Sequence, residues 1–375
     1  MSVLLLILGL VLFVSLVVVH EFGHFIVARR NGVTVEEFGI GFPPRAWSKQ
    51  LKSGLLLTVN WLPLGGFVRL KGEHDADKSP GSYGRANLWA KTKIMLAGVA
   101  MNLLAAFVLL TVLAWVGMPQ LVDNQYTINR DTKVLQNQVL ISFIESGSPA
   151  EKAGLQLHDQ IVGIGETGHQ TQKVTDQAQL PKVTQSLAGR SVQVVIRRDG
   201  VTKTIRTTLR SSQVVAASKK TNDPKGYLGV SPTEYRLQRS TWSAPVVAIG
   251  LMVQITILTL QGLGHALGAL FTGHAAQAGA QVTGPIGIFA LLQTGSVLGY
   301  QFILMIVAII SLALAIMNAL PIPALDGGRL FVTWLYRGLR RPLSQRTEEW
   351  IHGTGFMVLM VLVVLISIVD FRRYF

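Results

Sequence analysis

The sequence predicts a polytopic α-helical membrane protein with about four transmembrane helices, a membrane re-entrant β-hairpin and one α+β domain outside the membrane. Three observations predict it. Of 375 residues, 49% are hydrophobic and only 14% charged, with a mean hydropathy of +0.41. Apolar runs recur at roughly 3–28, 94–117, 300–320 and 354–369. Between 119 and 235 the apolar residues come instead in short strand-like runs. The chain therefore divides into a first membrane half (1–118), an extracytoplasmic domain (119–235), an interfacial helix and linker (236–299) and a second membrane half (300–375). With no cysteine, a disulfide framework and a thiolate metal site are both excluded.

The first run carries His20-Glu21-Phe22-Gly23-His24. On a helix, positions i and i+4 share a face, so the two imidazoles can grip one metal ion, and Glu21 can reach a water beside it. Zinc hydrolases use this arrangement: two His ligands, a third protein ligand from elsewhere, and a carboxylate as general base. At 8 His and 10 Glu in 375 residues, about half a per cent of a match is expected by chance. Three ionisable groups in a membrane-length apolar segment are also costly, which favours function over packing. No histidine follows at metzincin spacing, since position 27 is Val27 and position 30 is Arg30. The run lacks the basic start and small-residue cleavage site of a signal peptide.

Between the first and second runs lie 11 Lys/Arg against 5 acidic residues, which predicts a cytoplasmic loop. The N-terminus and the long 119–243 segment are then outside. The net charge of +14 thus follows membrane topology, and no nucleic-acid partner is implied. Within the loop, residues 55–68 are apolar but too short to span, and they read as a hairpin that re-enters the membrane. An edge of it could pair with an extended peptide, though an ordinary packed hairpin is equally compatible. Phe38–Pro44 is turn-rich and carries no chemistry of its own. Gly98 and Asn102 share a face of the second run, which suits close helix packing or substrate contact.

In the domain, Val139–Ile144, Ser191–Ile196 and Thr202–Leu209 read as strands, with Arg198-Asp199-Gly200 a hairpin turn. Ser146–Ile164 resembles the bacterial PDZ signature. A PDZ groove takes an extended peptide or a C-terminal carboxylate by strand addition, and Tyr227–Val230 would border it. His158 and His169 read as surface residues, and 211–225 as a flexible loop.

Asn318-Ala-Leu-Pro-Ile-Pro-Ala-Leu-Asp-Gly-Gly-Arg329 ends the third run. Asp326 is the one acid between Glu234 and Glu348, at a helix end broken by two prolines, and its carboxylate would complete a His₂/Asp site with a position open for water. That assignment requires the third run to pass from outside to inside. Residues 245–271, which carry Gln254, Thr256, Thr259, Gln261 and His265, then lie on or dip into the outer face, leaving His265 and His274 on the wrong side to be ligands.

With His-Glu-Phe-Gly-His, Gly98-x-x-x-Asn102, the PDZ-like insert and Asn-x-x-Pro-x-Pro-x-Leu-Asp-Gly in this order, the chain resembles the bacterial site-2 protease family, and more narrowly its sigma-E-regulator type. The resemblance implies an intramembrane zinc (Zn²⁺) endopeptidase of the bacterial inner membrane, with its active site near the cytoplasmic face. It implies single-pass membrane substrates, such as anti-sigma factors already cut outside or remnant signal peptides, in a stress response. By position, His20, His24 and Asp326 would be the zinc ligands, Glu21 the base, and Asn318 and Asn102 substrate-binding groups. One departure is that the sigma-E type carries two PDZ domains where this sequence shows one. Two rivals are a non-catalytic zinc-stabilised adaptor presenting the PDZ domain and a metal transporter. An intact Glu21 argues against the first, since a structural site closes with four protein ligands, and the lack of a continuing polar pathway argues against the second.

Overall fold

A computed structural model of the chain describes residues 2–122, 124–198, 200–219, 224–273, 279 and 282–374. It divides into two compact units, Met1–Leu113 with Ala244–Phe375, and Ala114–Ser243.

The first unit is helical. Its elements are α1 (Ser2–Arg30), α2 (Leu88–Val116), α6 (Ala244–Phe271), α7 (Pro285–Leu298), α8 (Tyr300–Ala319), α9 (Asp326–Gly338) and α10 (Gln345–Tyr374). Helix is the form these apolar runs must take in lipid, because every backbone N–H and C=O is then paired within the segment. Among the described residues five helices, α1, α2, α6, α8 and α10, are long and apolar enough to cross a membrane, one more than the sequence suggests. The additional one is α6, whose polar residues argue for an interfacial position. Part of that cost is met within the helix, where the Thr256 hydroxyl donates to the Met252 carbonyl at 2.7 Å. His274 and Asp199 lie outside the described residues.

α1 packs against α7 and α8 through a core of Leu16, Leu292, Ile303, Ile306 and Val307. α7 is capped from α10: one Asp370 oxygen accepts the Gly284 N–H at 2.8 Å and the Gly287 N–H at 2.9 Å. Ser311 on α8 donates to the Asn102 carbonyl of α2 at 2.8 Å.

Between α1 and α2 lie β1 (Val35–Gln50) and β2 (Leu56–Leu70), joined by a turn closed by Leu51 and Gly54. The hairpin expected over 55–68 is not self-contained. The chain does reverse inside β2, but residues 35–40 of β1 insert between the two arms. On one side Val35 pairs with Leu70 and Ile40 with Gly66; on the other Glu37 pairs with Leu56 and Ile40 with Val59. Residues 47–50 then pair with 56–59. Glu37 explains the insertion. It is buried, and it draws one partner from each arm: the Thr58 hydroxyl at 2.9 Å and Arg69 at 3.1 Å. Phe38–Pro44, expected as a plain turn region, is thus a central part of this sheet. The two edges of the sheet are 47–50 and 66–70; the second lies against α1, and its Val68 and Leu70 N–H groups donate to Glu21 and Glu73.

The second unit is an α+β domain. Its sheet runs β3 (Met118–Pro119), β9 (Val230–Arg239), β4 (Lys133–Ile144), β5 (Gln160–Glu166), β7 (Ser191–Arg198), β8 (Val201–Thr208), with β6 (Gln172–Lys173) beside β5. Strand β7 alternates exposed and buried residues, and Val192, Val194 and Ile196 meet Ile161, Ile164 and Leu180 in the core. Helices α3 (Pro149–Lys152), α4 (Gln179–Ser186) and α5 (Ser212–Ser218) flank it. The presence of α5 corrects the expectation of a loop over 211–225: Ser211 caps it by accepting from the Val214 N–H. His158 is half-buried and His169 exposed.

Candidate metal centre

Three ligand atoms converge from the two ends of the chain. His20 and His24 stand one turn apart on α1, 8% and 7% exposed. Asp326, 306 residues from His20, is the first residue of α9. Asp326 Oδ2 lies 3.1 Å from His20 Nε2 and 3.1 Å from His24 Nε2, and the two Nε2 atoms are 3.2 Å apart. Ligands on a tetrahedral zinc with bonds of about 2.0–2.1 Å lie about 3.3–3.4 Å from one another, so this near-equilateral triangle fits that ion. Among the described residues it is the one group of three or more His, Asp and Glu side chains disposed to hold a metal.

The surroundings fix which nitrogen faces the ion. His24 Nδ1 donates to the Ile94 carbonyl at 2.8 Å, leaving Nε2 as the lone-pair donor. His20 Nδ1 lies 3.3 Å from the Asn102 side-chain amide, which holds the second ring in place; with the amide turned so that Oδ1, otherwise buried without a partner, faces the ring, Nδ1 would donate and leave Nε2 its lone pair. Asn102 is 1% exposed, so the side chain expected to touch substrate instead backs a candidate ligand. Gly98, one turn before it, is the floor of the site: a Cβ there would sit 2.5 Å from His24 Nε2 and 2.6 Å from His20 Nε2. Only glycine allows α2 to pass this close beneath the imidazoles.

The loop after α8 delivers Asp326. Pro321 and Pro323 cannot continue the helix, and Ala324 takes a left-handed conformation at φ 77°. His352 on α10 holds this loop, with Nδ1 accepting the Ala324 N–H at 3.2 Å. Asn318, in the last turn of α8, is half-buried, and its amide has no hydrogen-bond partner among the described residues.

Glu21 stands beside the triangle, facing the 66–70 edge of the sheet. Its carboxylate accepts a hydrogen bond from the Val68 N–H of β2. Gly66, two residues earlier, lets the strand close on it, since a Cβ there would come within 3.3 Å of Glu21 Cγ. The centre thus combines a three-ligand pocket, a carboxylate and a strand edge.

A family model described as "Peptidase family M50" matches residues 8–362. The chain belongs to that family, the site-2 proteases. Relatives of similar length extend the match over nearly the whole chain. "Putative zinc metalloprotease CPE1693" of Clostridium perfringens is 29% identical over 368 residues, covering 96% of this chain and 97% of its own. "Putative zinc metalloprotease FN1322" of Fusobacterium nucleatum is 27% identical over 370 residues, 98% of this chain and 97% of its own. "Probable protease eep" of Enterococcus faecalis is 25% identical over 436 residues, 98% of each. As a member of M50, this chain is a metalloprotease, and its apolar helices are those of a multi-pass membrane protein.

Sequence reasoning located His20, Glu21, His24 and Asp326 and missed what holds them. The Ile94 carbonyl and Val68 N–H are backbone groups that no side-chain pattern marks. His352 offered no signal, being a lone histidine 26 residues after Asp326. Gly98 was noticed for helix approach, without its place under both rings.

Proposed function

We propose that this M50 member is a zinc-dependent intramembrane endopeptidase that cuts single-pass membrane proteins. The observation that carries this reading is the position of Glu21: it sits on a membrane-length helix, beside the His20–His24–Asp326 triangle and hydrogen-bonded to the edge strand of a sheet. Zinc held by these three residues would act as a Lewis acid and bring the pKa of a water from 15.7 to about 7. Glu21 takes a proton from the attacking water and passes it to the leaving amine. Asn318 supplies a free amide for the peptide backbone next to the break. The substrate is a helix, whose carbonyls are tied in i→i−4 bonds, so it must unwind to be cut. The 66–70 edge holds the unwound stretch as an added strand through its carbonyls, and through the Val68 N–H once Glu21 releases it.

The β1–β2 sheet, with Trp61 and Leu62 exposed at its bend, is a membrane re-entrant element in this reading. The basic residues of 29–93 support a cytoplasmic loop, which sets the catalytic centre near the cytoplasmic face of the bacterial inner membrane and the N-terminus outside. The α+β unit is read as a single extracytoplasmic PDZ domain. Among the described residues strand β9 is covered on one side by β4 and on the other at Leu237 and Gln238, where β3 pairs, and at Arg236, whose carbonyl accepts the Gln120 N–H, so the 230–235 part of that edge accepts a peptide or a newly cut C-terminus. Such a domain suits substrates already trimmed outside, for example anti-sigma factors or remnant signal peptides.

The test compares the intact chain with Glu21→Gln in detergent on a panel of single-span substrates. Both should bind one zinc, and the variant should cut at least 10²-fold more slowly. Equal cleavage by the two would remove Glu21 from the mechanism.

A further inference from the structure

Helix α9 begins at Asp326, but most of its surface is unrelated to the metal centre. One face packs on protein: Leu330 joins the Tyr83–Ile94 cluster, Thr333 is buried, Arg329 meets Glu73 at 3.5 Å, and Arg337 meets Asp75 at 3.5 Å. The opposite face carries Phe331, Trp334, Leu335 and, just past the helix end, Leu339. These recur at three- and four-residue steps and are each between 44% and 58% exposed. This stripe lies just after the end of α8, a membrane-length helix, so a bilayer boundary passes close by.

Two further features say what covers it. Arg340, Arg341 and Arg346 follow directly, all exposed and with no carboxylate pairing them among the described residues, and no acidic residue occurs between Asp326 and Glu348. Exposed tryptophans also gather at this end of the helices. Trp334 donates its indole N–H to Thr92 at 3.1 Å, one turn from Trp89, and Trp89 and Trp350 are 67% and 74% exposed. Tryptophans at this density prefer the headgroup level of a bilayer. A short helix with an apolar stripe, flanked by unpaired arginines, is the form of a segment lying in the plane of an anionic interface.

We propose that α9 is an interfacial helix whose Phe331–Leu339 stripe sits among lipid acyl chains, while Arg340, Arg341 and Arg346 bind anionic phospholipid headgroups at that face of the membrane. The inference needs membrane insertion but not peptidase activity.

The cysteine-free chain makes the test direct, because Leu335→Cys carries the only thiol. The full-length variant is labelled with an environment-sensitive fluorophore and placed in nanodiscs of phosphatidylcholine, with or without about a third phosphatidylglycerol. Iodide reports water, and a shallow nitroxide lipid reports the bilayer. The nitroxide should quench the Leu335→Cys probe, with iodide at least fivefold less effective than on a Ser344→Cys control. Phosphatidylglycerol should deepen the protection several-fold, and R340Q/R341Q/R346Q should abolish that increment, as should high salt. Iodide quenching equal to that of the control would overturn the proposal. Protection from both quenchers would also overturn it, since the stripe would then be covered by protein. Indifference of the intact arginine chain to phosphatidylglycerol would refute the headgroup assignment. Leu339→Cys repeats the measurement if Leu335→Cys fails to fold.

Discussion

Replacing Gly98 by alanine adds one methyl group at the most sensitive point of the centre. The new Cβ would lie 2.5 Å from His24 Nε2 and 2.6 Å from His20 Nε2, where contacts ordinarily begin near 3.4 Å. The ligand atoms or α2 must therefore retreat by about 0.9 Å, against a tolerance of about 0.2 Å in metal–ligand distance. α2 has little freedom to back away, because Ser311 ties it to α8 and Gly23 of α1 is already closed on the Ala97 carbonyl. Losing a single outer-sphere partner costs about 10–100-fold in metal affinity. Disturbing two ligands at once should cost about 10²–10⁴-fold, or roughly 3–5 kcal/mol. Chelator competition on the purified full-length protein reads this directly, with Gly264→Ala as control. A Cβ at Gly264 meets nothing within 4 Å, so that variant should bind zinc normally. Zinc binding by Gly98→Ala within threefold of the parent chain would mean that the imidazoles do not sit over Gly98.

Two other variants probe the supports of the centre. Lys91 is fully buried, donates to Asp75 and to the Gly84 carbonyl, and α9 joins the cluster through Arg337. Burial pushes the Asp75 carboxyl up, but the hydrogen bond and charge of Lys91, helped by Arg337 and Lys78, hold it below its ordinary 3.8. With a depressed folded value, this stabilisation is complete above the unfolded value of about 3.9 and is lost as pH falls through the lower folded one. Asp75→Asn should cost about 3–5 kcal/mol near neutral pH and flatten the acid limb of Tm against pH; an unchanged acid limb would show that another group governs it. His352→Leu should weaken zinc binding by about tenfold through the Ala324 loop, while His352→Asn, which can keep an acceptor near the Nδ1 position, should stay within threefold. Equal losses in both would leave the hydrogen bond without a role.

The residues of the candidate centre were legible because each breaks a rule of its surroundings. His20, Glu21 and His24 are ionisable residues in an apolar run, and Asp326 is the only acid across a long stretch of chain. The helices were legible by length and apolarity; α6 reads as interfacial from its polar side chains, yet it is also long and apolar enough to span, with Thr256 hydrogen-bonded to its own helix. The β1–β2 sheet was legible only as a local reversal. The insertion of 35–40 between the arms of β2 depends on Glu37 meeting Thr58 and Arg69, which are 21 and 32 positions away, and no periodicity carries that information. Asn102 shows the same limit: its face on α2 was read correctly, but whether it met substrate or a histidine depended on the register between two helices.

The 306 residues between His20 and Asp326 also set an order of events during synthesis. While the chain emerges, α1 enters the bilayer with two histidines and a glutamate but no third ligand, and it stays in that condition until nearly nine-tenths of the protein has been made. A three-ligand site can close only after α8 has been made and α9 has begun. Under the proposed function, the newborn chain would therefore pass through the insertion machinery, among the nascent spans of other proteins, before it could cut any of them.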